Sequence, residues 1–237
     1  SAMVYLKTRK EINKKKIGLI GHSEGGLIAP LVASRSKDVS FIVLLAGTGI
    51  RGDKLLLLQQ ALIAKANGAS EPDIKKSTET NTKLFEIVVK STDNQKLKTD
   101  LAGFISETLR KDTSAQIPNG MTKDQFVSMQ VDQISSPWMQ YFIKYDPGTT
   151  LQKVKCPVLA VNGEKDLQVP PKENLTAIKN ALIKGGNRNV TTKEFPGLNH
   201  LFQECKTGSP AEYAAIEQTF SPTALEEIVK WIKIQTK

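Results

Sequence analysis

Four short runs of apolar and β-branched residues divide the chain. They cover residues 17–21, 39–46, 157–162 and 190–195. Runs of this length that end at glycine, proline or polar residues are typical of buried strands. Helical patterns stand between them, as in residues 24–36. Because strands that alternate with helices pair in parallel, the pattern predicts an α/β fold with a mostly parallel sheet of about four strands, flanked by helices.

The stretch between the second and third runs is different in kind. It contains no convincing strand pattern and several signals for the start of a helix. These signals are Asp53, Ser70-Glu71-Pro72-Asp73, Thr122 with Gln125, and Ser136-Pro137. About a hundred residues are too many for an ordinary crossover between strands. We therefore predict an all-helical cap inserted at residues 51–150, within a core formed by residues 1–50 and 151–237.

The two ends of the chain also have helical patterns. Residues 4–12 resemble the end of a helix, and Ser221-Pro222 is typical of a cap and first turn. A stripe of apolar residues at helical spacing follows that cap and is expected to pack on the sheet. It consists of Leu225, Ile228, Val229 and Ile232.

Composition and charge then exclude several classes of protein. The chain has 237 residues, of which 39% are hydrophobic and 24% charged, as in a globular protein with a real core. No run approaches the 18 apolar residues of a membrane span. The net charge is +9, and residues 1–16 contribute +5 of it, because they contain six basic groups and one acid. Such an arm could bind nucleic acid or anionic lipid. Because no aromatic residues are interleaved with its lysines and no nucleic-acid-binding motif follows them, we favour a solvated helix end, with no nucleic-acid or membrane partner.

The two cysteines add little chemistry. Cys156 and Cys205 lie 49 residues apart, and no second ligand stands at the spacing of a metal site. We expect two free thiols, with one disulfide as the open alternative, and neither a metal nor an organic cofactor. The chain has no visible signal peptide, and residues 1–3 resemble a vector remnant before a start methionine. A cytoplasmic and an exported protein therefore both stay open.

The most informative motif is Gly21-His22-Ser23-Glu24-Gly25. The pattern G-x-S-x-G is weak by itself, but this copy follows a predicted strand and begins a predicted helix, as a nucleophile elbow requires. Such a turn holds its serine in a strained conformation, and small residues two positions away let strand and helix approach. We predict that Gly21, His22 and Gly25 form the elbow around a nucleophilic Ser23. At the N-terminus of a helix, free N–H groups favour a developing oxyanion.

A serine nucleophile needs a base and a carboxylate that orients the base. His22 adjoins the serine, so its ring should point away from the hydroxyl and serve packing or line a pocket. His200, after the fourth predicted strand, is therefore the candidate base. Asp166, after the third, is the candidate carboxylate, with Glu164 as its rival. The order Ser, Asp, His is the one that α/β-hydrolases use, and both loops follow the carboxyl ends of parallel strands.

Over nearly its whole length the chain resembles the α/β-hydrolase superfamily, and in detail bacterial serine esterases with a helical cap. The stretches that carry the resemblance are residues 16–26, 156–170 and 196–200. The resemblance implies a hydrolase of carboxylic esters that forms an acyl-enzyme, without a cofactor. It implies Ser23 as nucleophile, His200 as base and Asp166 as the orienting acid. The backbone N–H of Glu24 would supply half of the oxyanion hole.

The chain departs from that family before the nucleophile. Four strands with their helices and loops need roughly 75 residues, but only 22 residues precede Ser23, with no glycine-rich turn among them. We therefore expect the C-terminal part of a hydrolase, without a second oxyanion donor. The strand at residues 17–21 would be an exposed edge, which predicts a homodimer through that edge or through swapped elements. Trp138 and Leu167 are the expected substrate contacts.

Several functions stay open beside the cleavage of a small ester. The same three residues could serve a peptidase or a thioesterase, because the fold does not determine the leaving group. A chain that lacks one oxyanion donor could instead be a weak or silent hydrolase that acts as a folded scaffold or dimer. The third and least favoured hypothesis is a nucleic-acid site on the basic arm, around Lys14, Lys15 and Lys16.

Overall fold

A computed structural model describes residues 2–112 and 117–237 of the chain. Its strands are β1 (Leu19–His22), β2 (Ile42–Leu45), β3 (Val158–Gly163) and β4 (Val190–Phe195). Its α-helices are α1 (Ala2–Thr8), α2 (Gly25–Ala33), α3 (Gly52–Ala66), α4 (Glu71–Lys90), α5 (Asn94–Lys111), α6 (Lys123–Ile134), α7 (Pro137–Lys144), α8 (Pro147–Leu151), α9 (Pro171–Lys184) and α10 (Pro222–Gln235). A 3-10 helix spans Pro210–Ala215.

The four strands form one parallel sheet in the order β1-β2-β3-β4. Leu19 pairs with Ile42, Ile42 with Val158, and Val158 with Val190. The predicted α/β fold with about four parallel strands is therefore confirmed. Strands β1 and β2 are shorter than the apolar runs that predicted them, residues 17–21 and 39–46.

Contacts between Cα atoms divide the chain into two compact units. Unit 1 contains the sheet and comprises Ser1–Arg51, Leu58–Ala69 and Asp146–Lys237. Unit 2 comprises Gly52–Leu57 and Ser70–Tyr145, and its regular elements in the described part of the chain are all helical. Helix α3 is divided between the two units. The role of the predicted cap at residues 51–150 stays a prediction.

One apolar cluster of unit 1 lies on one face of the sheet. Alternate side chains of the central strands, such as Ile42 and Leu44 on β2, point to that face. Helices α2 and α9 cover it with apolar side chains that include Ala29, Ile178 and Leu182. Because both central strands are buried, their sequences are continuously apolar rather than alternating.

Helix α10 corrects one expectation. Of its predicted stripe, Ile228 is buried, whereas Leu225 is 53% exposed and Val229 39% exposed. The buried side of the helix is formed instead by Ala224 and Ile228, which are four residues apart and share a face. Leu225 follows Ala224, and Val229 follows Ile228, by one residue. Both are therefore rotated by about 100° away from that buried side.

Unit 2 has its own core, and helices α4, α6 and α7 begin at the predicted caps. Helix α3 instead begins at Gly52, ahead of the predicted signal Asp53, and α5 follows a cap, Asp93, that the sequence analysis missed. Helices α4 and α5 face each other through buried apolar side chains, and Val131 and Ile143 complete the cluster. The buried side chains of these two helices are Leu84, Phe85, Val88, Leu97, Leu101 and Ile105. The Ser70 hydroxyl accepts the Asp73 N–H, and Thr122 forms a reciprocal capping box with Gln125. Both satisfy N–H groups that a helix start leaves without partners.

Two basic residues of the N-terminal arm form ion pairs. In the basic arm, Lys7 Nζ lies 2.7 Å from Asp38 Oδ2, and Arg9 pairs with Glu11 at 2.5 Å. Cys156 and Cys205 are both free thiols. Among the described residues, no helix is long and apolar enough to cross a membrane.

Candidate active site

Ser23 lies in the sharp turn between β1 and α2. Its φ angle of 54° is in the left-handed region, which costs energy for any residue other than glycine. The Ser23 N–H donates to the carbonyl oxygen of Leu45 at 2.8 Å, and this bond attaches the turn to the end of β2. The predicted strained turn is therefore present at the predicted serine.

The glycines around Ser23 differ in whether a side chain would fit at their positions. A side chain at Gly21 would overlap the backbone of Gly25, so this position requires glycine. A Cβ atom at Gly25 itself meets nothing within 4 Å in the described part of the chain. The second close approach occurs instead at Gly26, where a Cβ would lie 2.6 Å from the Cα of Gly47. The expectation that Gly25 is needed for close packing is therefore wrong on this geometry.

Asp166 lies in a tight turn directly after β3. Its Oδ1 atom accepts the backbone N–H groups of Gln168 at 2.9 Å and Val169 at 2.8 Å. Turns in which a side-chain oxygen accepts from the backbone two and three residues ahead are typical of aspartate. Asp166 is only 2% exposed, and these two bonds hold its second oxygen in a defined direction.

That second oxygen binds His200. His200 Nδ1 lies 2.8 Å from Asp166 Oδ2, and both residues are buried. An ionised carboxylate can only accept, so Nδ1 carries the proton and Nε2 of the neutral ring is left as an acceptor. The rival acid Glu164 is exposed and instead accepts the Gly197 N–H at 2.8 Å. The geometry therefore favours Asp166 over Glu164 as the partner of His200.

The loop that carries His200 is shaped by its own polar residues. The buried side chain of Asn199 accepts the backbone N–H groups of Leu201 and Gln203 through Oδ1, at 2.9 and 3.0 Å. A side chain at Gly163, at the end of β3, would overlap the backbone of this loop. Gly163 thus lets the loop approach the turn of Asp166, a role that the sequence analysis missed.

The structure brings together two of the three predicted catalytic residues. Asp166 and His200 are directly bonded, whereas Ser23 and His200, both within the described part of the chain, share no hydrogen bond. Ser23 follows the outer strand β1, and the His200 loop follows the opposite outer strand, β4. A bond between nucleophile and base is often formed only when substrate is bound. The role of Ser23 as a nucleophile stays a prediction.

Asn162 is a polar residue of this site that the sequence analysis did not identify. It is fully buried at the end of β3, and its Nδ2 lies 3.3 Å from Asp166 Oδ2 and 2.8 Å from the carbonyl oxygen of Val169. A buried amide in an apolar strand needs partners. The signal was available as the single polar side chain that ends the run from Pro157.

His22 contacts the His200 loop. Its Nε2 lies 2.9 Å from the main-chain oxygen of His200, and the centroids of the two rings are 4.8 Å apart. The pKa of His22 is lowered, mainly because burial disfavours the charged ring. The sequence analysis predicted a packing or pocket residue and missed this bond.

The predicted oxyanion donor lies at the start of α2. Glu24 precedes the first helical residue, Gly25, and already has helical dihedral angles, φ −57° and ψ −35°. The N-terminus of a helix of this length directs N–H dipoles toward a negative charge. The assignment of the Glu24 N–H to the oxyanion hole stays a prediction.

The two predicted substrate contacts belong to different units. Leu167 lines a cavity of about 570 Å³ in unit 1 together with Asp166. Leu62, Pro170 and Leu175 supply further apolar lining. Trp138 lies on α7 in unit 2, where it is 52% exposed and stacks on Phe142 at 5.3 Å. Neither role is tested by these positions. Among the described residues, no group of three or more His, Cys, Asp or Glu side chains could hold a metal ion.

The fold and the order of these residues define a class of protein. A parallel sheet flanked by helices, a strained serine after one strand, and an Asp–His pair after two later strands are the arrangement of the α/β-hydrolase superfamily. The family "BAAT / Acyl-CoA thioester hydrolase C terminal" matches residues 1–206, which include all three residues. The chain therefore belongs to this hydrolase family, and the predicted superfamily is confirmed.

The chain is also similar, at low sequence identity, to solved structures that include a lipase and a peptidase. A monoacylglycerol lipase of Paleococcus ferrophilus is 16% identical, with 99% of this chain and 74% of that chain covered and a TM-score of 0.45. An acylaminoacyl peptidase of Pyrococcus horikoshii is 12% identical, with 84% and 22% covered and a TM-score of 0.40. This chain thus spans about a fifth of that peptidase. A comparison with curated proteins gave no significant match.

Proposed function

We propose that the protein is a serine hydrolase that cleaves carboxylic esters through an acyl-enzyme. The observation that carries the proposal is the buried bond between His200 Nδ1 and Asp166 Oδ2. This bond leaves His200 Nε2 unprotonated, the state that a general base requires. Ser23, in its strained turn, supplies the candidate nucleophile.

In the proposed reaction the proton moves twice through His200. Nε2 takes the Ser23 hydroxyl proton as the oxygen attacks the acyl carbon, and the protonated ring then gives it to the leaving alkoxide. Asp166 stabilises the positive ring during both steps, because its carboxylate lies against Nδ1. Water, activated by the same Nε2, hydrolyses the acyl-enzyme and regenerates Ser23.

A thioester is the second candidate substrate, and the family match supports it. The family that matches residues 1–206 is described as containing acyl-CoA thioester hydrolases. The Ser23 oxygen, after His200 takes its proton, would attack a thioester carbonyl in the same way. A thiolate leaves readily without a proton, since the pKa of a thiol is far below that of an alcohol. Cleavage of a thioester therefore depends less on His200 as an acid.

The first prediction compares Ser23→Ala with the wild-type chain on p-nitrophenyl butyrate and butyryl-CoA. We expect the variant to lose at least about 1000-fold in kcat/KM on the substrate that the wild-type protein cleaves, because the acyl-enzyme cannot form. Release of p-nitrophenol or of free thiol reports each reaction. The relative kcat/KM of the two substrates decides between ester and thioester.

Ser36→Ala is the matched control, since Ser36 lies after the end of α2 and its hydroxyl oxygen accepts the Asp38 N–H. It should retain wild-type rates. A Ser23→Ala variant that hydrolyses either substrate as fast as the wild-type protein would show that Ser23 is not the nucleophile.

Chemical labelling of Ser23 distinguishes a slow hydrolase from a silent scaffold. Loss of one oxyanion donor typically lowers kcat by 100- to 1000-fold without removing the nucleophile. A fluorophosphonate should therefore still modify Ser23, with the adduct located by mass spectrometry, even if turnover is slow. A chain that neither turns over substrate nor reacts at Ser23 would support the scaffold.

A further inference from the structure

We propose that His22 is a positioning residue that fixes the catalytic His200 relative to the serine turn. This inference rests on the proposed function, since it assigns a role within the same reaction. His22 contacts the main chain of His200 rather than its reactive nitrogen, so it would act through His200 and not on the substrate.

The hydrogen bond has a single direction. A main-chain carbonyl oxygen can only accept, so the His22 Nε2 atom, 2.9 Å away, is the protonated donor. In the neutral ring Nδ1 is then unprotonated. Burial lowers the pKa of His22 and thereby favours this neutral state, which avoids a second positive charge beside His200 when that ring is protonated.

The two rings are also in contact. Their centroids are 4.8 Å apart and their planes are inclined by 47°. The His22 ring additionally lies edge-on to Phe202, at a centroid distance of 6.4 Å. His22 thus touches the His200 loop at three places: the main-chain oxygen, the imidazole ring and the aromatic ring two residues later.

The position of His22 in the chain links this contact to the nucleophile. His22 is the last residue of β1 and directly precedes Ser23, so its backbone is continuous with the turn of the nucleophile. Strand β1 and strand β4 are the two outer strands of the sheet, with β2 and β3 between them. The bond from His22 therefore connects the serine turn with the histidine loop directly across the end of the sheet.

Two anchors then determine where His200 Nε2 points. Asp166 binds the ring at Nδ1, and His22 binds the backbone of the same residue at its carbonyl oxygen. With both anchors the ring and its backbone are restrained. Without the bond from His22, the His200 carbonyl group can reorient within its loop while the ring pivots on Nδ1, which moves Nε2 away from the line of attack. A shift of this kind lowers kcat because reacting atoms must be aligned.

The test uses two amides that differ by one methylene group. The side chain of His22→Gln places an N–H donor at about the reach of imidazole Nε2, whereas that of His22→Asn is too short. We expect His22→Asn to lower kcat by about 3- to 10-fold, the effect of one typical hydrogen bond. KM should stay within about twofold of wild type, and His22→Gln should recover most of the rate.

A second readout does not depend on turnover. The chain has only two histidines, so in either variant the remaining imidazole signals in a 15N-labelled sample belong to His200. We expect one narrow set of His200 ring signals in His22→Gln and broadened or doubled signals in His22→Asn. Thermal unfolding of each variant verifies that it is folded.

Each outcome bears on the proposal. Equal kcat values for the Gln and Asn variants, or a change confined to KM, would overturn it, since the donor would then be dispensable or would bind substrate. Identical His200 signals in both variants would overturn it as well. If the wild-type protein neither hydrolyses esters or thioesters nor reacts with a fluorophosphonate at Ser23, the proposed function fails. The NMR comparison still decides whether His22 positions His200.

Discussion

Four donors converge on the carboxylate of Asp166. Two are backbone N–H groups of its own turn, and the others are Asn162 Nδ2 and His200 Nδ1. Hydrogen bonds of this kind stabilise the ionised form of a buried carboxylate, which otherwise is strongly disfavoured. The negative charge is therefore already oriented toward His200 before any substrate binds.

The exchange of Asp166→Asn should separate this carboxylate from its rival Glu164. We expect a fall of about 1000-fold or more in kcat, because an amide can present its NH₂ group to Nδ1 and thereby favour the wrong tautomer of His200. The measurement is steady-state hydrolysis of whichever acyl substrate the wild-type chain cleaves.

Glu164→Gln is the matched control for that experiment. Glu164 is exposed and accepts the Gly197 N–H, and a glutamine oxygen can accept the same bond. Its kcat should stay within about threefold of wild type. A larger loss in Glu164→Gln than in Asp166→Asn would reverse the assignment of the acid.

At the scale of elements, the passage from β1 into α2 depends on two close backbone approaches. Gly21 meets the backbone of Gly25, and Gly26 meets Gly47 at the end of β2. Both contacts need the absence of a side chain, since even one methyl group would overlap backbone atoms that cannot move independently. The strain at Ser23 is maintained by this packing rather than by Ser23 itself.

Two single alanine substitutions should distinguish these glycines. We expect Gly21→Ala to lower the free energy of unfolding by at least about 2 kcal/mol, because its Cβ overlaps the backbone of Gly25. Gly25→Ala should be neutral or stabilising by up to about 1 kcal/mol, because alanine restricts the unfolded chain and favours the helix. Urea unfolding followed by circular dichroism measures both.

These two variants control for each other, since each adds one methyl group within the same turn. An equal loss of stability for Gly21→Ala and Gly25→Ala would mean that the close approach at Gly21 does not determine the geometry of the turn.

Some elements could be predicted from the sequence because they are encoded locally. The caps at Ser70 and Thr122 follow from side chains that bond N–H groups three residues ahead. The continuous apolar run before Asn162 predicts a buried strand. The exposed Leu225 shows the limit of this reasoning. Spacing identifies an apolar stripe, but the rotation of α10 about its axis is determined by the residues that it packs against.

The site could be predicted only in part, for a related reason. Ser23, Asp166 and His200 stand in recognisable motifs, so the sequence could locate them. Their support is non-local: His22 and His200 are 178 positions apart. Gly163 similarly serves a loop that begins some 30 residues later. Contacts over such separations have no periodic signal, so only the folded chain displays them.

At the scale of the whole molecule, β1 is an edge strand of the sheet. Within the described residues it pairs only with β2, so its outer edge presents backbone groups that a further strand could bind. Ile20, in the middle of β1, is 58% exposed. An exposed apolar edge strand is a template for pairing with another chain, unless something covers it. This geometry is the physical basis for the proposed homodimer.

The last prediction concerns that dimer. We expect light scattering to give about 52 kDa, twice the 26.0 kDa of one chain, and expect Ile20→Lys to reduce it to the monomer, since a charge on an edge strand opposes pairing. Ile183→Lys is the matched control, because Ile183 is 45% exposed on α9, a helix that packs against β3 and β4. A wild-type monomer would contradict the dimer. A dimer that survives Ile20→Lys would favour the exchange of elements over edge pairing.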